Sequence, residues 1–76
     1  MDSLLLVRIK NPWTGEIIDK DVSGTTEDDL NNYSALMDKQ LCEDLHKRLP
    51  NCTPGEFLAA WAKLVGPDQA GKVMWG

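Results

Sequence analysis

Seventy-six residues carrying a formal net charge of −4 are enough for a single domain over 1–76 and leave no room for a second. A chain this short buries a modest share of its surface, so its core must be thin. The acidic balance argues against direct binding of nucleic acid, which needs a basic face to displace counterions. Two cysteines, Cys42 and Cys52, cannot build a disulfide framework and read as reduced thiols in a cytoplasmic protein.

The first ten residues, "MDSLLLVRIK", carry an acid where a signal peptide has a basic segment, and their apolar run is short, so no export is expected. The later run "FLAAWA" falls far short of a membrane span.

Residues 3–22 read as a β-hairpin. The segments "SLLLVRIK" and "EIIDKDV" are rich in branched apolar residues and flank "NPWTGE", where Pro12 suits a type I turn and Gly15 the left-handed residue that closes the loop. With Asn11 facing Glu16, the register pairs Ile9 with Ile18, Arg8 with Asp19, and Leu5 with Val22. That places Leu5, Val7, Ile9, Ile18 and Val22 on one face, with Lys20 as the misfit whose stem must snorkel.

Helical spacing then runs over 26–49. Thr26 and Asp29 approximate a capping box, Glu27, Asp28 and Asp29 complement the helix dipole, and His46, Lys47 and Arg48 suit its other end before Pro50. Asn31 and Asn32 weaken the helix and suggest a break before Ser34. A second helix is expected over 53–65, with Thr53 as cap, Pro54 as first helical residue and Glu56 completing the box. Gly66 and Pro67 end it, and 67–75 reads as a short helix or a tail. The predicted fold is α+β, an N-terminal two-stranded antiparallel hairpin packed on two α-helices with a short third helix at the C-terminus.

Three features exceed what folding requires. Trp13 sits in a turn that needs no aromatic ring: it either folds back and packs over its own hairpin or stands exposed as an anchor, tryptophan being enriched at interaction hot spots, and Trp75 poses the same choice at the other end. Glu16, Asp19, Asp21, Glu27, Asp28 and Asp29 lie within fourteen residues; strand solvation and helix N-terminal charge explain each of them, and the functional alternative is an acidic surface suited to a basic groove. The second helix carries two apolar faces, Phe57, Ala60, Trp61 and Leu64 beside Leu58, Ala62 and Val65; such a helix is either sandwiched or offers a flank to another chain.

Catalysis is poorly supported. Cys42 and His46 share a helix face, and with Cys52 they supply three soft ligands without a clear fourth. No phosphate loop and no paired carboxylates accompany them, so neither cofactor nor metal is expected. Two short helices around "VGPD" lack the basic and amide side chains of a DNA-reading helix.

In its length, its "NPWTGEI" hairpin and its "CTPGEFLAAW" helix start, the chain resembles the small acidic accessory proteins of bacteriophages and mobile elements. That resemblance implies a protein that binds and inhibits or redirects a host complex, as anti-defence proteins do. The expected function is therefore non-enzymatic occlusion of a host or cognate protein, one with a basic nucleic-acid-binding surface. The expected contacts are Trp13, Glu16, Asp19, Asp21, Glu27, Asp28 and Asp29 with the flank Leu58, Ala62, Val65 and Trp75. The alternative is a homodimer built on that flank.

Overall fold

The computed structural model describes residues 4–75; the expected start of the hairpin at Ser3 lies outside them. Two strands, β1 (Leu6–Lys10) and β2 (Ile17–Asp21), precede four helices: α1 (Glu27–Ser34), α2 (Lys39–Arg48), α3 (Pro54–Val65) and α4 (Pro67–Met74). The class is α+β, with four helices where two and a short C-terminal third were expected.

The hairpin has the predicted register, with Arg8 opposite Asp19 and Ile9 opposite Ile18. Asn11 N–H donates to the Glu16 carbonyl, and Val22 N–H to that of Leu5. Gly15 takes φ of 82°, a conformation that L side chains resist, and this closes the loop without strain. Val7, Ile9 and Val22 are buried. Lys20, the misfit on this face, donates its ammonium to the Met74 carbonyl at 3.1 Å and lies 5.8 Å from the Tyr33 ring centre. Its charge thus meets a helix C-terminus and an aromatic face.

The long helix expected over 26–49 is two helices, with the break after Ser34 and not before it. Thr26 and Asp29 form the predicted capping box, but the Ser34 hydroxyl donates back to the Asn31 carbonyl, a bond that competes with helix continuation. Asp38 then begins a new helix by accepting from Gln40 N–H and Leu41 N–H. A residue read as mid-helix is a cap, which is the role for which aspartate is better suited.

α3 is the centre of the molecule. Its N-terminus is fixed by Thr53 and Glu56, whose side chains bond each other's backbone N–H groups. β1 and α4 cover one side, α1 and α2 another, so Phe57, Leu58, Ala59, Trp61 and Ala62 are all buried. Each large side chain so enclosed contributes about 1.5–3 kcal/mol of transfer free energy. Two glycines permit the closest approaches: a Cβ on Gly55 would overlap the Val22 carbonyl, and one on Gly71 the backbone of Lys10. Through Gly71, α4 lies directly against the end of β1. The C-terminal segment is therefore a helix, with Ala70 and Met74 inward.

Candidate functional site

The hairpin turn is built by local chemistry. The Asn11 side-chain oxygen accepts from Trp13 N–H at 2.8 Å and Thr14 N–H at 3.1 Å, and the Thr14 hydroxyl accepts from Glu16 N–H. These bonds hold the turn in one conformation, and on it Trp13 stands 78% exposed. The indole does not fold back over its own hairpin. Beneath it lies a shallow depression of about 370 Å³, floored by Lys10, Asp68 and Lys72, where Lys10 and Asp68 pair at 3.7 Å.

The rest of β2 is equally open. Ile17 is 53% exposed, and Ile18, expected on the buried face, is still 38% exposed because no helix packs on β2 as α4 packs on β1. Asp19 reaches Arg8 at 3.7 Å across the outer face, a solvated pair worth little to stability. Asp21 accepts from the N–H groups of Ser23 and Leu5 at 2.9 and 3.2 Å. The Ser23 N–H, followed by the Ser23 hydroxyl and the Leu5 N–H, holds its carboxyl below the usual carboxylate range. Asp29 serves the capping box, while Glu27 and Asp28 stand exposed in the first turn of α1.

The predicted contact residues therefore separate into groups. Trp13 and Glu16 sit at the turn, Asp19 and Asp21 along β2, and Glu27, Asp28 and Asp29 beyond its far end. Five strand residues span about 17 Å, so aromatic and α1 carboxylates mark two ends of an arm and not one compact patch. The proposed flank of α3 falls out as a correction: Leu58 is 0% and Ala62 4% exposed, enclosed because β1, α4 and the two preceding helices pack around the helix. Val65 and Trp75 are half-buried against the same core, and Trp75 is held by its N–H to the Gly71 carbonyl. Sequence reasoning missed Ile17, Leu6 and Leu4, all at least half exposed. The available signal was that a two-stranded sheet always leaves edges and one face to be covered.

The cysteine and histidine constellation is dispersed. Cys42 is buried with its thiol 3.5 Å from the Met37 sulfur, and burial, followed by the nearby Asp38 carboxylate, pushes that thiol up, away from nucleophilic character. Cys52 donates to the Leu49 carbonyl. His46 stacks on Phe57 with ring centres 4.4 Å apart, which is a packing role. Among the described residues no three metal-ligating side chains converge, and no helix is long and apolar enough to cross a membrane.

No curated protein and no solved structure matches the chain. A family model does, that of anti-CRISPR protein AcrIC5, over residues 20–64. The match runs from the end of β2 through α1 and α2 to the last turn of α3, and so takes in the capping boxes and the central helix. It spans more than half of the 76 residues; the chain belongs to the anti-CRISPR protein AcrIC5 family.

Proposed function

We propose that this protein of a phage or mobile element inhibits a host CRISPR–Cas complex by binding and covering a working surface on it, without catalysis, in the host cytoplasm and as one domain. Family membership supports the target class. The contact surface is the hairpin arm: Trp13 supplies desolvated area, and Glu16, Asp19, Asp21, Glu27, Asp28 and Asp29 steer the arm toward a basic, nucleic-acid-binding surface. The observation that carries this reading is Trp13, a large apolar ring displayed on a rigid turn. A free chain gains nothing from that exposure, whereas a preorganised anchor loses little entropy on binding.

Binding of the purified complex to wild type, Trp13→Ala and a charge-reversed Asp19→Lys, Asp28→Lys variant tests it. Loss of the indole is expected to weaken affinity by about thirtyfold, in the range of a hot spot. Charge reversal should slow association and flatten its salt dependence. Wild-type affinity and rates in both variants would remove the hairpin arm from the interface.

A further inference from the structure

Strand β2 has a hydrogen-bonding edge that nothing among the described residues occupies. The register fixes its direction: Glu16 C=O and Val22 N–H point to β1, as do the peptide groups of Ile18 and Lys20, so those of Ile17, Asp19 and Asp21 point away. No hydrogen bond among the described residues uses the peptide N–H or C=O of these three. On the opposite side of the sheet, β1 is closed off by α4, with Gly71 against Lys10. The sheet therefore has one covered and one open edge.

Side chains decide what that edge accepts. Ile17, Asp19 and Asp21 alternate with Ile18 and Lys20, whose ammonium is turned inward to the Met74 carbonyl. Acidic and inward-pointing charged residues on an edge discourage pairing with another copy. Antiparallel self-pairing centred on Asp19 would set that carboxylate opposite its twin, where like charges repel. The same row is complementary to an extended segment with Lys or Arg opposite Asp19 and Asp21, and apolar residues opposite Ile17 and over Ile18.

Resting on the covering function proposed above, we infer that β2 binds its target by strand addition: an extended segment of the CRISPR–Cas complex, alternating basic and apolar residues, becomes the third strand of the sheet. Main-chain bonds to Ile17, Asp19 and Asp21 supply the pairing, and the carboxylates select the basic partner.

Hydrogen–deuterium exchange of the chain, free and bound to the purified complex, is the test. The amides of Ile17, Asp19 and Asp21 should slow at least tenfold on binding, from a fast free state, while those of Ile18 and Lys20 are already slow. Asp19→Pro removes one outward N–H at a place an edge strand tolerates, and should weaken binding tenfold or more. Asp19→Asn keeps that N–H and should cost about threefold. Where the proline variant does not fold, the wild-type exchange data decide alone.

Unchanged exchange at the three amides, with Trp13→Ala still weakening binding, overturns strand addition and leaves the covering function standing. No binding by wild type overturns both. Protection of the same amides in the isolated chain, with the 8.5 kDa mass doubled in solution, would give the edge to a second copy and overturn the inference.

Discussion

Helix α3 and the hairpin arm from Asn11 to Asp21 both carry large apolar side chains, yet these end in opposite environments. Phe57 is 1% and Trp61 2% exposed, whereas Trp13 and Ile17 stand mostly in water. The difference follows from neighbours. Four elements surround α3, so its apolar side chains find partners, except Leu64 near its end; β2 has one strand beside it and open solvent beyond. A protein this small gathers its core around a single central helix, and most of the large apolar side chains left uncovered lie on the hairpin, with Leu36 and Leu64 outside it. Stability resides in the first region, and the recognition proposed above falls to the second.

The largest effect should come from removing a side chain at the centre of α3. Phe57→Ala, which also removes the stacking partner of His46, is expected to cost about 3–5 kcal/mol. The whole chain has roughly 4–11 kcal/mol of stability at typical values per residue, so chemical denaturation should show a midpoint far below that of wild type. A loss below about 1 kcal/mol would mean that α3 is not the core.

Next comes Gly71→Ala. Its methyl would collide with the Lys10 backbone, forcing α4 off β1 at a cost of about 1–3 kcal/mol. Urea unfolding curves would show it, and a neutral result would detach α4 from the sheet. The hairpin should behave otherwise. Trp13→Ala is expected to change stability by no more than about 0.5 kcal/mol, because the turn's hydrogen bonds use Asn11, Thr14 and backbone groups and not the indole. A clear thermal destabilisation would place Trp13 with the core and erase the contrast between the regions.

The smallest effect is electrostatic. Asp21 is held below the usual carboxylate range by donors that exist only in the folded hairpin. On acidification the unfolded chain therefore takes up this proton first. The contribution of Asp21 is complete above the ordinary carboxylate pKa, about 3.9, and is lost as pH falls through that range and below the folded value. Asp21→Asn should thus lower stability slightly at neutral pH, converge on wild type in acid, and so flatten the acid limb of the stability profile. Unfolding midpoints measured from pH 6 to pH 2 would check the sign; a steeper acid limb in the variant would contradict it.

Which parts of this arrangement were readable beforehand follows from the range of the interactions involved. The hairpin register was legible because Asn11, Gly15 and the alternation around them are determined within a dozen residues. Both capping boxes, Thr26 with Asp29 and Thr53 with Glu56, span three residues and were equally plain. The break after Ser34 was harder: Leu30, Tyr33, Met37 and Leu41 keep a helical spacing straight through it. Only the competition between the Ser34 back-bond and the Asp38 cap settles where the helix stops and restarts.

The candidate site divides along the same line. Trp13 was conspicuous because its turn had no structural use for it, and the carboxylates of 16–29 were visible as charge. The fate of Leu58 and Ala62 was not, since a helix apolar all round reads alike whether it is sandwiched or offers one flank outward.

The amino-acid sequence by itself determined the hairpin, its loop, the starts of α1 and α3 and the acidic, aromatic character of the arm, because each rests on chemistry between near neighbours along the chain. Only the tertiary structure decided that α4 closes the β1 edge through Gly71, that α3 is covered on both faces, and that the far edge of β2 stays open. Those outcomes depend on how distant segments compete for the same apolar surface, and no local pattern records which of them arrives.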